Sequence, residues 1–443
     1  MSRIGQGAAR AAYSLMLRIG LPLYLLRVLR RGRREPLYAT AIGERVGRYV
    51  GVAKPGAVWL HAVSLGETRA AAPLIDALRH ALPGRSLLLT HGTATGRSAG
   101  QPLLRAGDVQ VWLPFDTPGA VRRFLAHFAP VAGVLMETEI WPNLLAEARA
   151  RGLPMLLANA RMSERSRRRG RRVDALLRPA FESLSVAFAQ TEADAARLRD
   201  AGVREVTVEG NVKFDLAPDP RLIELGKRWK TGVAARTLVL AAVTREGEEA
   251  SLLTAWRGIS APRPLLVIVP RHPQRFEAVA ELIAGSGFTL SRRSAWVEAA
   301  LDVDAGIVKA GEAPPEGAAA ADVWLGDSMQ EMAAWYALAD VALLGGSFAP
   351  LGGQNLIEAA ACACPVVMGP HTFNFADAAE LAIAAGAAVR VATMAEGVAR
   401  AIAIGSSEEQ RGRAAVALGF AAAHRGAARR MAAGIVRRIG GRV

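Results

Sequence analysis

The sequence predicts an α/β protein built from two Rossmann-like domains that face a central cleft. From residue 56 onward, short apolar, β-rich runs alternate with Ala- and Leu-rich helical stretches, the pattern of parallel sheets flanked by helices. A polar, Pro-containing segment at 215–221 interrupts the alternation, which then resumes. The chain has 443 residues, of which 51% are hydrophobic, and this length favours two cores over one.

The predicted strands fall into two sets, one on each side of the interruption. The first set occupies 58–63, 87–90, 131–136, 155–159, 186–190 and 206–210. The second set occupies 237–243, 265–270, 323–325, 341–344 and 366–368. We therefore expect an N-terminal domain over 36–215 and a C-terminal domain over 216–443. The long helix predicted at 408–438 is a candidate to return to the first domain, and the Ala/Gly/Pro-rich stretch 305–321 is expected to be a surface insertion.

The N-terminal segment 1–35 is predicted to anchor the protein at a membrane. Residues 11–29 are apolar but interrupted by charges, and the uncharged stretch 19–26 is far shorter than the ~20 residues that a spanning helix needs. Five arginines accompany its end: Arg27, Arg30, Arg31, Arg33 and Arg34. An apolar face beside dense arginines is typical of an interfacial helix, or of a short insertion with a cytoplasmic basic flank. The alternative is an ordinary amphipathic helix packed on the protein.

The charge balance predicts an anionic partner. The chain carries 55 Lys and Arg residues against 40 Asp and Glu residues, a net charge of +15. Such an excess suits nucleic acid, an acidic membrane or a phosphorylated substrate. The two cysteines, Cys362 and Cys364, are too close in sequence for an unstrained disulfide, so we expect small buried thiols in a reducing compartment.

Polar motifs recur where the predicted strands end, which is where open parallel sheets bind ligands. The first half contains HAVSLGE (61–67), ETEIWPN (137–143), NARMS (159–163) and GNVKFD (210–215). The second half contains TREGEE (244–249), PRHPQRF (270–276), GGSFAPLGGQNLIE (345–358) and GPHTFNF (369–375). So many motifs in register at one edge of each sheet predict a binding site rather than a series of unrelated turns.

Two motifs of the second half indicate phosphate and ribose binding. The glycine-rich turn 345–353 runs into a helix, so its backbone N–H groups and the helix N-terminus suit phosphate, and Glu358 suits a ribose diol. Arg271, His272 and Arg275 follow an apolar strand and suit a phosphate or a nucleobase carbonyl. A tight turn before a helix and a basic surface turn are the respective alternatives. Neither a G-x-G-x-x-G motif nor a P-loop occurs, which argues against dinucleotide-dependent oxidoreductases and P-loop enzymes.

The sequence from Ser64 to Glu67 has two interpretations. Ser-x-x-Glu before an apolar helix is a capping box, in which the Glu side chain folds back onto the helix N-terminus. A carboxylate at the mouth of the cleft would instead act as a general base. The pattern alone favours the cap.

Three further charged residues follow strands of the first half. Glu137 and Glu139 are two residues apart, and only one of them is expected to point toward a given strand face. Lys213 is a candidate to neutralise a substrate carboxylate, or simply to pair with Asp215.

We predict neither a metal site nor a nucleic-acid partner. Asp302 and Asp304 resemble a metal-binding Asp-x-Asp pair but directly precede the low-complexity stretch, and the seven histidines lack metal-ligand spacing. The arginine run 165–172 has no interleaved aromatic residues and no accompanying nucleic-acid-binding motif.

Taken together and in order, these motifs resemble those of the 3-deoxy-D-manno-octulosonic acid (Kdo) transferases. The matching segments are HAVSLGE, METEIWPN, NARMS, GNVKFD, PRHPQRF, GGQNLIEAAA and GPHTFNF, and the resemblance covers nearly the whole chain. It implies a GT-B fold, CMP-Kdo as the donor without a further cofactor, and the lipid A precursor (lipid IVA) as the acceptor. It also implies an inverting, metal-independent transfer at the cytoplasmic face of the bacterial inner membrane. The expected partners are therefore a CMP-sugar, a phosphorylated glycolipid and a membrane surface.

The resemblance implies roles for individual residues. Glu67 matches the general base of the family, which reverses the preference for a cap alone. Glu137 and Lys213 match positions that stabilise the transition state. The CMP-binding segments of the family match Arg271, His272, Met329, Gln330, Glu331, Asn355, Leu356, Ile357 and Glu358.

The chain departs from the usual family pattern on the donor side. Val243 and Arg245 stand in a motif that is usually Ser-Thr-His-Glu-Gly-Glu, Gln330 replaces Gly, Gln354 replaces His and Leu356 replaces Pro. These departures leave the base unchanged and concern donor binding. Two other functions stay open: a GT-B glycosyltransferase or epimerase that uses a UDP-sugar, and a non-catalytic protein that binds membranes or nucleic acid.

Overall fold

The computed structural model describes residues 3–51, 53–233, 236–296, 314–315, 317–406 and 408–440. The chain forms two compact units. One contains the residues up to Leu216 together with those from His424, and the other is Ala217–Ala423. Asp302, Asp304 and most of the stretch 305–321 lie outside the described residues.

The helices and strands alternate along both units. The first unit contains α1 (Arg3–Gly32), β1 (Val58–His61), α2 (Leu65–Ala81), β2 (Leu87–His91), α3 (Ala94–Gly100), β3 (Val109–Trp112), α4 (Pro118–Phe128), β4 (Ala132–Met136), α5 (Pro142–Ala150), β5 (Met155–Ala160), α6 (Glu164–Arg171), α7 (Asp174–Glu182), β6 (Val186–Ala189), α8 (Glu192–Ala201) and β7 (Val206–Val208). The second unit contains α9 (Pro220–Thr231), β8 (Leu238–Thr244), α10 (Glu248–Arg257), β9 (Leu265–Pro270), α11 (Phe276–Gly285), β10 (Leu290–Arg292), β11 (Val323–Leu325), α12 (Met332–Leu338), β12 (Val341–Leu344), α13 (Leu356–Ala361), β13 (Val366–Met368), α14 (Ala376–Ala384), β14 (Ala388–Arg390), α15 (Met394–Gly405) and α16 (Gln410–Ala423). The last helix is α17 (Ala427–Gly440).

Each unit is built on one parallel seven-stranded sheet. The strand order is β3-β2-β1-β4-β5-β6-β7 in the first unit and β10-β11-β9-β8-β12-β13-β14 in the second. The order reverses between β1 and β4 and again between β8 and β12, and doubly wound sheets bind ligands at such switch points, beyond the carboxyl ends of the strands. The predicted α/β fold with two Rossmann-like domains is confirmed.

The central strands are buried on both faces, which explains their nearly continuous apolar sequence. In β1, Val58 and Leu60 pack into one core cluster with Leu74 of α2, whereas Trp59 packs into the opposite cluster with Phe124 of α4. Alternate side chains of one strand therefore join two cores, as the pleat of a strand requires.

The sequence missed three strands, and all three lie at sheet edges. They are β3, β10 and β14. An edge strand has a neighbour on one side only, so it tolerates polar and charged residues such as Gln110 in β3 and Arg292 in β10. The apolar runs on which the prediction depends are consequently absent there.

The single C-terminal helix predicted at 408–438 is wrong, because the structure contains two helices. The chain breaks between α16 and α17 at Gly426, whose φ of +96° favours glycine. The Asp215 carboxylate accepts hydrogen bonds from the Gly426 N–H and, at 2.7 Å, from the Ala428 N–H. This cap holds α17 on α2 of the first unit, so the second unit ends at Ala423 rather than at 443.

Helix α1 packs on the first unit through one side only. Tyr13 donates a hydrogen bond to the Asp116 carboxylate at 3.0 Å, Tyr24 stacks on Phe115 with ring centroids 4.5 Å apart, and Val28 is buried. The helix also presents exposed apolar side chains, namely Leu15, Met16, Ile19, Leu23 and Leu26. Both sequence interpretations therefore have a basis, since the helix is packed on the protein and leaves an apolar stripe uncovered.

Candidate active site

The candidate site of the first unit lies at its switch point. The loop after β1 leads to Glu67, and the loop after β4 carries Glu137 and Glu139. Because β1 and β4 are adjacent parallel strands, their carboxyl ends meet at one edge of the sheet and bring the two loops together.

Glu67 caps the helix on which it lies. The Ser64 hydroxyl oxygen accepts a hydrogen bond from the Glu67 N–H at 3.4 Å. In return, Glu67 Oε2 accepts from the Val63 N–H at 2.8 Å and Oε1 accepts from the Ser64 hydroxyl at 3.1 Å. The side chain thus folds back over the N-terminus of α2 much as a capping box predicts, and these contacts fix the orientation of the carboxylate.

The surroundings of Glu67 make it more basic than an ordinary carboxylate. Burial raises the pKa of Glu67, and the charge of Glu137 raises it further, while the hydrogen bonds from Val63 and Ser64 and the Lys213 ammonium oppose this rise. A carboxylate with a raised pKa accepts protons more readily near neutral pH. The cap and the general base are therefore compatible roles for one side chain.

Glu137 and Lys213 form an ion pair beside Glu67. Lys213 Nζ lies 3.3 Å from Glu137 Oε1, and both side chains are about three-quarters buried. Glu137 has a φ of +57°, an uncommon left-handed conformation for a residue with a side chain, and its N–H donates to the Ala158 carbonyl at 2.9 Å. Such strain is concentrated at functional sites because it persists only where the surrounding structure holds it.

The short 3₁₀ turn that carries Lys213 is held by two asparagines. The Val212 N–H donates to Asn159 Oδ1 at 3.1 Å, and the Lys213 N–H donates to Asn211 Oδ1 at 3.0 Å. The motifs NARMS and GNVKFD are therefore parts of one support for the lysine. Asp215, the alternative partner for Lys213, instead caps α17.

Glu139 joins the same cluster, which the sequence argument did not foresee. Burial raises the pKa of Glu139 to about 7, and the charges of Glu67 and Glu137 add to the rise. The expectation that only one of the two would point toward a given strand face is wrong, because residues two apart in a strand share a face. Here β4 also ends at Met136, so both carboxylates lie in the turn that follows. Three carboxylates and one ammonium are consequently gathered at the switch point.

At the switch point of the second unit, Glu248 connects the loop after β8 to the glycine-rich turn after β12. Its buried carboxylate accepts backbone hydrogen bonds from Arg245 at 2.9 Å, Gly346 at 2.7 Å, Phe348 at 3.1 Å and Ala349 at 3.3 Å. Three of the N–H groups that the sequence argument offered to a phosphate, those of Gly346, Phe348 and Ala349, are therefore already bound by an internal carboxylate. Glu248 matches the last Glu of the family's usual Ser-Thr-His-Glu-Gly-Glu motif. This match is the sequence feature that could have indicated its role.

Arg271 and His272 follow β9 and are exposed. Partial desolvation lowers the pKa of His272, and the neighbouring arginines lower it further. Arg275 has a structural role instead, because it binds the buried Glu249 carboxylate through two contacts of 2.7 and 3.0 Å. Two of the three donors expected in this motif are thus accessible to a ligand.

The segment Met329–Gln330–Glu331 lies between β11 and α12. Met329 and Gln330 are exposed, whereas the Glu331 carboxylate is held by Arg293 at 2.9 Å. Gln330 has a φ of +67°, a conformation that glycine adopts more easily. The Gly that the family usually has at this position therefore has a backbone reason, and Gln330 adds strain to this loop.

The segment from Asn355 to Glu358 forms the start of α13. Asn355 Oδ1 accepts a hydrogen bond from the Ile357 N–H at 3.2 Å. The side chains of Leu356 and Ile357 are buried, so at these two positions a ligand can reach only the backbone. Glu358 is half-buried beside Tyr336, whose pKa is held well above its ordinary value by burial and by this carboxylate.

Across the described part of the chain, no group of three or more His, Cys, Asp or Glu side chains is arranged to hold a metal ion. The Asp302 and Asp304 pair falls outside that part of the chain.

Sequences of known transferases match most of this chain. The family model for 3-deoxy-D-manno-octulosonic-acid transferase (kdotransferase) matches residues 40–216. The 3-deoxy-D-manno-octulosonic acid transferase of Bordetella pertussis is 47% identical over 395 residues, which cover 86% of this chain and 88% of the relative. This chain belongs to the Kdo transferase family. The Haemophilus influenzae member is 32% identical over 91% of this chain and 92% of its own length. The chain is therefore a glycosyltransferase, and the non-catalytic alternative is set aside.

Solved structures agree on the fold. A glycosyltransferase from Rickettsia africae matches with a TM-score of 0.56 at 10% identity, covering 88% of this chain and 100% of that chain. A UDP-GlcNAc 2-epimerase from Neisseria meningitidis matches with a TM-score of 0.55 at 15% identity, covering 86% and 100%. At such identities the likeness concerns the fold alone, which is GT-B-like.

Proposed function

We propose that this Kdo transferase transfers Kdo from CMP-Kdo to the phosphorylated lipid A precursor, lipid IVA, with inversion and without a metal ion. Membership in the family favours CMP-Kdo over the UDP-sugar alternative. The observation that carries the chemistry is the cluster of Glu67, Glu137 and Lys213 at the switch point of the first unit.

Glu67 acts as the general base. Its carboxylate accepts the proton of an acceptor hydroxyl, and the oxygen forms a bond to the anomeric carbon of Kdo. The bond from that carbon to the phosphate oxygen breaks, and its electron pair leaves with CMP. The raised pKa of Glu67 favours the first transfer, and the contacts with Val63 and Ser64 hold the carboxylate in place while it accepts the proton.

Lys213 and Glu137 stabilise the charges that develop during transfer. The sugar acquires oxocarbenium character while the departing phosphate becomes more negative. The Lys213 ammonium suits a donor carboxylate or phosphate, and Glu137 holds that ammonium at 3.3 Å. Charged groups already fixed in position stabilise a transition state without reorganising, and such preorganisation is in most enzymes the largest single contribution to catalysis.

The donor is held by the second unit. Arg271 and His272 suit the phosphate and the cytosine carbonyl, and the backbone at the start of α13 suits further polar contacts. Glu358 suits the ribose diol. A CMP leaving group carries a single phosphate, so it needs less charge neutralisation than a nucleoside diphosphate.

We further propose that α1 holds the enzyme on the cytoplasmic face of the inner membrane by lying on it. By length and composition this helix alone, among the described residues, could cross a membrane. Its contacts at Tyr13, Tyr24 and Val28 extend along much of its length, and a spanning helix would lose them. The exposed apolar stripe and the arginines from Arg27 onward suit the acyl and headgroup layers of an interface.

Product mass tests the proposed reaction. Incubation with CMP-Kdo and lipid IVA in the presence of EDTA is expected to give the acceptor mass increased by whole Kdo units, together with CMP. The unfolding midpoint should rise with CMP more than with UDP, because only a bound ligand stabilises the native state. An unchanged acceptor mass, or equal protection by UDP, would contradict the assignment of donor and acceptor.

Substitutions on the apolar stripe test the membrane contact. Ile19→Gln with Leu23→Gln changes two side chains that are 69% and 71% exposed, so the fold should be unaffected. Burying each apolar side chain contributes roughly 1.5–3 kcal/mol, so binding to phospholipid vesicles is expected to weaken at least ~100-fold. Unchanged vesicle binding would show that the stripe does not contact the bilayer.

A further inference from the structure

Helix α6 carries arginines with two different environments. Arg167 is buried and pairs with Asp200 and Asp174, and the exposed Arg171 also pairs with Asp200 at 2.9 Å. These pairs connect α6 to the neighbouring helices α7 and α8. Within the arginine run 165–172, Arg167 and Arg171 therefore hold α6 in place.

The remaining arginines occupy one face of this segment. Arg165, Arg168, Arg169 and Arg172 have the spacing i, i+3, i+4, i+7 and are exposed. Within the part of the chain that the structure describes, none of the four forms an ion pair with a carboxylate. Like charges at this spacing destabilise a helix, so folding alone gives no reason to place them together.

The four arginines line a concavity on the protein surface. Its lining consists of these arginines and Glu164. Guanidinium forks match the geometry of phosphate oxygens, and a concave cluster suits a discrete phosphate group better than a flat charged surface. The lining contains no aromatic side chain on which a nucleic-acid base could stack.

The position of α6 connects this cluster to the candidate active site. α6 begins four residues after the end of β5, and β5 lies beside β4, whose carboxyl end leads to Glu137. The helix therefore starts at the sheet edge where the Glu67 cluster is gathered. α7 contacts both α6 and the apolar α1, so the same unit combines a phosphate-binding face, an apolar helix and the general base.

We propose that Arg165, Arg168, Arg169 and Arg172 form a phosphate-binding subsite for the acceptor, binding a phosphate monoester of the glycolipid headgroup. This inference rests on the proposed function, because it assumes a phosphorylated glycolipid acceptor. The subsite retains the headgroup while Glu67 takes the proton from its hydroxyl.

A matched pair of double variants tests the subsite. Arg168→Gln with Arg169→Gln removes two charges from the cluster. Arg149→Gln with Arg204→Gln removes the same net charge from exposed positions at the end of α5 and before β7. Both positions lie near the amino ends of the strands, away from the candidate active site. Transfer and equilibrium binding are measured in neutral detergent micelles, with lipid IVA and with the same lipid after its phosphates are removed.

The cluster variant is expected to raise the KM and Kd for lipid IVA at least ~10-fold, with the KM for CMP-Kdo unchanged. The control variant should match the native enzyme. With the dephosphorylated lipid, native enzyme and cluster variant should bind equally. Equal loss with both lipids, or no loss with either, would overturn the subsite.

Two further outcomes have separate meanings. If the cluster variant differs only in binding to vesicles of anionic phospholipid, the arginines bind the membrane and the subsite is wrong. If the native enzyme transfers no Kdo to either lipid, the proposed function fails, while the binding measurements still decide whether the arginines recognise phosphate.

Discussion

Glu67→Gln separates the two roles that the structure gives to Glu67. The Gln carbonyl oxygen can still accept the hydrogen bond of the Val63 N–H, which is 2.8 Å long with Glu67. Losing an N-terminal cap completely costs about 0.5–2 kcal/mol, so losing part of it should cost less than about 1 kcal/mol. Removing one negative charge beside Glu137 offsets some of that cost. An amide cannot accept the proton, and kcat should fall ~10²–10⁴-fold, which corresponds to roughly 3–5 kcal/mol of barrier.

The assay measures CMP release at saturating donor and acceptor, the affinity for CMP and the free energy of unfolding. Glu67→Ala is the control, because it removes both the cap and the base. It should match the Gln variant in turnover and be less stable by about 1 kcal/mol. Near-native turnover in a folded Glu67→Gln enzyme would refute the assignment of the base and leave Glu67 as a cap only.

Three other predictions concern the same cluster. Glu137→Gln removes a negative charge beside Glu67 and should lower the pKa of Glu67, so the acid limb of the kcat–pH profile should move to lower pH; an upward shift would contradict the coupling. Lys213→Met should lower kcat by roughly 10²-fold, and Lys213→Arg should restore part of the rate, unless the lysine only neutralises Glu137. EDTA should leave turnover unchanged; complete loss that Mg²⁺ reverses would show that a metal ion takes part.

The accuracy of the fold prediction depended on where each strand lies in its sheet. Central strands such as β1, β4, β8 and β9 are buried on both faces, so their sequences are apolar throughout and were recognised. The missed strands β3, β10 and β14 are edge strands, which need no such run. The break before α17 was missed because its cap, Asp215, is more than two hundred residues away in sequence.

The candidate site was predictable where the interacting residues lie within one short motif. Ser64 and Glu67 are three residues apart, so the cap could be read directly, and the role of base came from the resemblance. The ion pair of Glu137 with Lys213 joins the loop after β4 to the turn after β7, which a linear motif cannot connect. The role of Glu248 was hidden for the same reason, since its partners at 346–349 are about a hundred residues away.

The packing of α1 determines which experiment can test its membrane role. The Asp116 carboxylate accepts hydrogen bonds from Tyr13 at 3.0 Å and from the N–H groups of Asn143 at 3.1 Å and Leu144 at 2.8 Å. These N–H groups begin α5, directly after the loop that carries Glu137. Deleting α1 would leave a buried carboxylate without one of its donors and disturb the support of the candidate active site. Lost activity after deletion would therefore not distinguish release from the membrane from damage to the site, whereas substitutions confined to the exposed stripe do.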